Sequence, residues 1–196
     1  MQPLTRLDAP GVPLPAADID TDQILPARFM HARRIDYGRY AFHDLRVDAA
    51  FVLNRGEYAG AQVLAVGPNF GCGSSREQAV HTLADYGIRA LVGTSFGDIF
   101  FTNCLKNGVL PIRADAAFVE RLLAMLEATP GAHVRIDLPD QYVIAPDGER
   151  APFDIDPFQK ETLVEGLDEI DMTLRYAAAI DAYERAHGIG TSQETT

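Results

Sequence analysis

Nine residues, 69–77 (NFGCGSSRE), hold the densest set of groups in the chain that could receive an anion. Gly71 and Gly73 let a backbone approach a ligand closely. Ser74 and Ser75 bring hydroxyls, and Arg76 brings a planar fork that matches a carboxylate or a phosphate. The run lies where an apolar segment ends and a helical pattern begins. The free N–H groups and positive dipole end of a helix start would therefore add to the set. A second reading covers some of the same residues. Ser74-x-x-Glu77 is also a capping box, with Ser74 as the cap and Glu77 reaching back. Capping accounts for Ser74 and Glu77 but not for two glycines, a second serine and an arginine, and both readings stand on the sequence. Other motifs fail on inspection. The run has no lysine for a phosphate-binding P-loop, no G-x-S-x-G for a nucleophile elbow, and Arg76 where a dinucleotide fingerprint needs its last glycine.

A second group is Asp18-Ile19-Asp20-Thr21-Asp22. Alternating carboxylates suggest a calcium loop, but that pattern wants Gly sixth and Glu twelfth, where Gln23 and Phe29 stand. Two readings remain: one carboxylate orients an arginine or hydroxyl of residues 74–76, or the segment is an acidic turn. A basic stretch follows, with Arg28, Arg33, Arg34, Arg39 and Arg46 against Asp36 and Asp44. It reads as a solvated face or as a site's cationic side. The five histidines show no metal-ligand spacing, and His31 stands out because it lies in this stretch. Cys72 and Cys104 are too few for a disulfide framework or for the thiolates of a metal–sulfur cluster. We therefore expect no metal on this chain and a reducing, cytoplasmic setting.

These groups need a frame. Residues 1–15 carry four prolines and read as an extended lead-in or edge strand, and residues 18–24 as a loop. Residues 61–66 read as a buried strand and 76–86 as a helix with Ala79, Val80, Leu83 and Ala84 on one stripe and Gly87 as its cap. Then come a strand (88–92), a helix (98–106) stopped by Gly108, and a strand (109–113). Residues 115–128 form an amphipathic helix with Phe118, Val119, Leu122, Leu123 and Leu126 inward. Strands follow at 133–138 and 141–145, then a Pro146-Asp147-Gly148 turn. One or two helices span 159–187. The alternation in the middle predicts a parallel α/β sheet, and the β-rich flanks make it mixed.

The 196 residues suit one domain, and 47 % hydrophobic with 23 % charged residues is globular composition. We place that domain at 1–188 and a flexible tail at 189–196. The net charge of −11 argues against a nucleic-acid partner, whose phosphates need a basic surface. No apolar run approaches the ~20 residues of a membrane span.

The motifs together carry a resemblance. D-x-D-T-D-x-I-x-P-A-R-F (18–29), N-F-G-C-G-S-S-R-E (69–77), S-F-x-D-I-F (95–100) and N-x-x-x-N-G-V-L-P-I (103–112) resemble the small subunits of 3-isopropylmalate dehydratases. These are the separate-chain form of the aconitase swivelling domain. The resemblance implies a three-layer mixed β/β/α fold. It implies a hydro-lyase of leucine biosynthesis that interconverts 2-isopropylmalate and 3-isopropylmalate through 2-isopropylmaleate. It also implies a heterodimeric partner, a large subunit carrying a 4Fe–4S cluster. By the same resemblance Ser74 is the general base. Ser75 and Arg76 hold a substrate carboxylate, Asp22 supports the site, and Arg28 helps bind carboxylate. The loop after P-A-R-F contacts the substrate's variable group, which puts Met30, His31 and Ala32 there. After the serine loop, Gln78-Ala79-Val80-His81 departs from the His-Ala-Pro-Trp of many bacterial small subunits. That departure keeps two alternatives in play. One is a sister dehydratase acting on a citramalate-, dimethylmalate- or homoaconitate-type diacid. The other is a non-catalytic anion-binding module.

Overall fold

The structure is a computed structural model that describes residues 1–31 and 34–189. Seven strands form one sheet: Arg6–Leu14 (β1), Val63–Val66 (β2), Ala90–Gly93 (β3), Leu110–Arg113 (β4), His133–Asp137 (β5), Tyr142–Ile144 (β6) and Arg150–Pro152 (β7). Their order is β4-β3-β2-β1-β5-β6-β7. From β1 to β4 every pairing is parallel, and from β1 to β7 every pairing is antiparallel. The mixed α/β sheet expected from the sequence is therefore present. β7, three residues after a turn, has no periodicity of its own and is not evident in the sequence.

The helices are Thr21–Ile24 (α1), Glu77–Tyr86 (α2), Asp98–Lys106 (α3), Ala116–Ala128 (α4), Pro157–Glu165 (α5), Glu169–Leu174 (α6) and Ala177–His187 (α7). Each of the main ones has a local cause. Asp115 caps α4 by accepting from the N–H groups of Ala117 and Phe118. Gly87 ends α2 in the left-handed region, returning its N–H to the last turn. Asp156 caps α5, with Pro157 at its first position. The tail end holds three helices rather than one or two, because Gly166 stops α5 and Asp168 caps α6.

Alternate residues of the parallel strands enter two cores. Leu64, Val66 and Leu91 pack with Ala79, Val80 and Leu83 of α2 and with Phe100 and Cys104 of α3. Val63, Ala65, Ala90, Val92 and Ile112 face the other way, onto Phe118, Val119, Leu122 and Leu126 of α4. Strands buried on both faces read as continuous apolar runs, as 63–66 and 90–93 do. Val134, Ile136, Val143 and Ala151 of the antiparallel half join the second core, so the sheet curls.

Two expectations need correction. Residues 1–15 do not form an edge strand: β1 lies at the centre of the sheet. Its prolines are tolerated because its two sides are used in turn. Arg6 to Pro10 pairs with β5, and Gly11 to Leu14 pairs with β2. The N–H of Gly11 points to the β5 side, onto Ala132, and Leu14 accepts from Gly67 on the β2 side. Pro13, in phase with Gly11, therefore lacks a donor only where β5 has already ended. Residues 18–24 are not all loop either. Asp20 forms a full capping box with Gln23 and starts α1. Among the described residues no helix is long and apolar enough to cross a membrane.

Candidate active site

The glycine-serine loop leaves the C-terminal end of β2, and segments from two other parts of the chain pin it on both sides. On one side the N–H of Gly71 donates to Ile19 (2.7 Å), and Asp20 and Cys72 pair as an isolated parallel bridge. The N–H of Thr21 donates to Cys72, and the Thr21 hydroxyl donates to the carbonyl of Ser74 at 2.9 Å. On the other side Phe70 pairs with Phe96, and the N–H of Asn69 donates to Oγ of Ser95 at 2.8 Å. Asp18 and Asn69 both adopt positive φ and are tied by a 2.7 Å side-chain hydrogen bond. The segments at 18–22, 69–76 and 95–100 thus form one layered corner, although residues 23–68 separate the first two.

Two glycines are fixed by this packing. Gly71 has φ +72°, and a Cβ there would lie 2.2 Å from the buried Phe100 ring. A Cβ on Gly97 would lie 2.5 Å from the carbonyl of Gly71. Close approach between the loop and the start of α3 is therefore what these glycines secure.

The loop and the first residues of α3 line an open cleft of about 380 Å³, bounded by Asn69, Cys72, Ser74, Ser75, Asp98 and Phe100 among others. Ser74 and Ser75 are exposed, and their hydroxyls bond to no other described residue. Nor does any described residue accept from the N–H groups of Gly73, Ser74 or Ser75. The capping reading of Ser74 is not realised: Arg76 occupies the cap of α2, without a side-chain bond, and Glu77 instead accepts from Asn107 at 2.8 Å. That frees the loop's polar groups for something outside the chain.

Arg76 is partly buried and its Nη1 donates to Asp22, the first-turn carboxylate of α1. This orients the guanidinium beside the loop and leaves Nε and Nη2 available. Asp22, Ser74, Ser75 and Arg76 thus come together, with the two serines in the cleft wall and the ion pair at its flank. Arg28 and His31 do not line the cleft. Arg28 binds Asp44 (Nη1 to Oδ2, 2.9 Å) and lies over the Phe29 ring at 4.6 Å. Its bonds and those of His43 hold the Asp44 carboxyl down to about 2. His31 is exposed. Ala32 and Arg33, part of the expected substrate loop, lie outside the described residues, as do residues 190–196 of the expected tail.

Among the described residues no cationic side chain lines the cleft itself. Asp98 stands in its wall, and burial, with Asp18 and Asp20 nearby, pushes the Cys72 thiol up. Burial alone pushes Cys104 well up. Two protonated thiols, one wholly enclosed, do not fit an iron–sulfur cluster. Among the described residues no group of three or more His, Cys, Asp or Glu could hold a metal ion. His81, the most visible departure from the sequence pattern, serves packing. It meets Asn107 at 3.0 Å and stacks on Tyr37. Thr21, Asn69 and Ser95 also build the site. All three sit inside the recognisable motifs, but only the fold shows that Thr21 and Ser95 hold the loop's backbone and that Asn69 ties it to Asp18.

Comparison with known proteins decides the family. The Aconitase C-terminal domain model matches residues 1–117, and a second model, LeuD_N, matches residues 120–157. A protein of Phenylobacterium zucineum named 3-isopropylmalate dehydratase small subunit is 48 % identical over 192 residues, covering 94 % of each chain. One of Rhodopseudomonas palustris with the same name is 45 % identical over 191 residues, covering 94 % of this chain and 95 % of the relative. The chain belongs to the 3-isopropylmalate dehydratase small-subunit family. A crystal structure of a 3-isopropylmalate dehydratase from Methanocaldococcus jannaschii superimposes with a TM-score of 0.68 at 24 % identity, over 92 % of this chain and 99 % of that one. The fold is accordingly that of the aconitase swivelling domain. Small-subunit membership implies a large partner subunit.

Proposed function

We propose that this chain is the base-supplying half of a 3-isopropylmalate dehydratase, interconverting 2-isopropylmalate and 3-isopropylmalate in the cytoplasm. Residues 1–188 act as one swivelling domain that closes on a large subunit. The observation that carries the reading is the loop itself. Its backbone is fixed from both sides, while Ser74, Ser75 and the N–H groups of residues 73–75 face an open cleft without partners among the described residues. A 4Fe–4S cluster on the partner would supply Lewis-acid binding of the substrate hydroxyl.

The chain's own residues handle the proton and a carboxylate. Ser74 Oγ takes a proton from the carbon beside a carboxylate as hydroxide leaves the neighbouring carbon. In the return sense Ser74 gives that proton to the neighbouring carbon, and the hydroxide adds at the first, which restores the Ser74 anion. A serine hydroxyl is a weak base in water. Loop N–H groups, the start of α2 and the Arg76 guanidinium favour its anion. Arg76 offers Nε and Nη2 to the carboxylate while Asp22 holds Nη1, and Ser75 adds a hydroxyl. Arg28 starts from its bond to Asp44, with which a substrate carboxylate would compete. The variable group of the substrate meets the segment around Met30 and His31.

The test is turnover of 3-isopropylmalate by this chain co-expressed with its large subunit and loaded with cluster anaerobically. The unsaturated intermediate is followed in the ultraviolet. Activity that disappears when this chain is omitted supports the reading. A complex that forms, holds its cluster and converts citramalate but not 3-isopropylmalate overturns the substrate.

A further inference from the structure

The acidic segment contains one residue whose task the proposed reaction does not use. Thr21 is 2 % exposed and is one of three buried polar residues among those described. Its N–H donates to the carbonyl of Cys72 (3.1 Å), and its hydroxyl donates to the carbonyl of Ser74 (2.9 Å). These two carbonyls bracket Gly73. In a trans peptide the C=O and the following N–H share one plane and point in opposite directions. No cis peptide bond occurs in the described chain. Fixing the Cys72 carbonyl therefore turns the Gly73 N–H away from α1, and fixing the Ser74 carbonyl does the same for the Ser75 N–H. Neither N–H has an acceptor among the described residues.

The two acidic residues that flank Thr21 have separate tasks. Asp20 caps α1 and Asp22 pairs with Arg76. Gly73, at φ +84°, is a flexible link between the two pinned planes. Without the hydroxyl bond, no described residue but its chain neighbours holds the Ser74 plane.

We infer that Thr21 is a positioning residue: its hydroxyl pins the Ser74 peptide plane and so sets the direction of the catalytic serine and of the Ser75 N–H. This rests on the proposed role of Ser74. It acts on the chemical step rather than on substrate capture, because Asp22 and Arg76 keep their own bond.

The test uses the assembled two-subunit enzyme and compares Thr21→Val, Thr21→Ala and Thr21→Ser. Thr21→Val keeps the shape and removes the hydroxyl. It should lower kcat about tenfold or more and change KM less than threefold. Thr21→Ser keeps the donor and should recover most of the lost kcat. Thr21→Ala removes the donor without adding apolar bulk, and gives the same readout should Thr21→Val fail to assemble. Placed on Ser74→Ala, Thr21→Val should cost little more, since the two act as one unit. A kcat within twofold of wild type for Thr21→Val or Thr21→Ala overturns the inference. So does equal impairment of Thr21→Ser and Thr21→Ala, which would assign the loss to packing. Full activity of Ser74→Ala would instead remove the base assignment, so the two failures are distinguishable.

Discussion

The loop at residues 69–76 and the segment at residues 27–58 are both polar, irregular and superficial, yet they are held in opposite ways. The loop is fixed through its backbone: bridges to residues 20 and 96, bonds to Ile19, Thr21 and Ser95, and glycines that exclude any side chain. Its reactive side chains, Ser74 and Ser75, are left without partners among the described residues. The described residues of the segment form a run of short 3₁₀ turns, hung on the buried Tyr37, Phe42, Leu53 and Tyr58, with a surface organised by side chains. Arg28 pairs with Asp44, Phe29 stacks on Tyr40 at 4.2 Å, and Arg46 donates to Asn54 at 3.0 Å. Backbone fixation preorganises groups for a ligand without occupying them, which is what catalysis by differential binding needs. Side-chain pairing satisfies the same groups internally, and a ligand must break it. The proposed reaction therefore draws its chemistry from the loop and adaptable recognition from the segment.

The largest expected effect falls on the loop. Ser74→Ala should abolish turnover of the assembled enzyme, by about 10³-fold or more, while the complex with the large subunit persists. Arg76→Lys should follow, raising KM by about tenfold. A lysine cannot hold Asp22 and a carboxylate with one planar fork. An unchanged KM for Arg76→Lys would place the guanidinium in structure alone. In the segment, Arg28→Lys should change KM by much less, because Arg28 begins from an internal ion pair.

The next effect is on stability and separates two glycines. Gly71→Ala would set a Cβ against Phe100, whose ring is buried and edge-on to Phe70 at 5.6 Å. The positive φ adds strain. We expect a loss of about 3 kcal/mol or more, and a fall in Tm of roughly 6–12 °C. Gly56, in the segment, has no atom within 4 Å of a built Cβ and no positive φ. Gly56→Ala should leave Tm within about 2 °C. Equal shifts for the two would mean that the loop is not held by its backbone, and the contrast would fail.

Much of this was legible in the sequence, for identifiable reasons. Buried parallel strands announce themselves as apolar runs, so 63–66 and 90–93 were plain. Caps and stops such as Asp115 and Gly87 are local chemistry, so α2, α3 and α4 emerged within a residue or two. β1 was misplaced because prolines argue against a central strand. Only the pairing pattern, in which β5 stops before Pro13, shows how one is tolerated. The Ser74-x-x-Glu77 box was a false local signal. Glu77 is claimed by Asn107, thirty residues on, and tertiary contact overrode the motif. The candidate residues divide the same way. Reactive types in a glycine-rich run point to Ser74, Ser75 and Arg76. The residues that hold them, Thr21, Asn69 and Ser95, have ordinary types, and their role exists only once three segments meet.

The smallest effect tests the segment's side of the comparison. Asp44 titrates near 2 in the folded chain, first through its bond from Arg28 and then through His43. In the unfolded chain an aspartate titrates at about 3.9. A depressed folded-state value means that the unfolded state binds the proton more readily. The stabilisation is therefore complete above pH ~4 and is lost as pH falls from there towards ~2. Both partners are about half exposed, so the contribution is small and screened by salt. Denaturant midpoints of wild type and Asp44→Asn should differ slightly and constantly between about pH 5 and 7. The gap should narrow below about pH 4, and ~1 M salt should narrow it at every pH. A gap that keeps its size at pH 3, or that ignores salt, would mean that Asp44 anchors the segment by something other than its charge. The surface of residues 27–58 would then be fixed rather than exchangeable. Arg28 would be unable to leave Asp44 for a substrate carboxylate, which would fall to Arg76 and Ser75 alone.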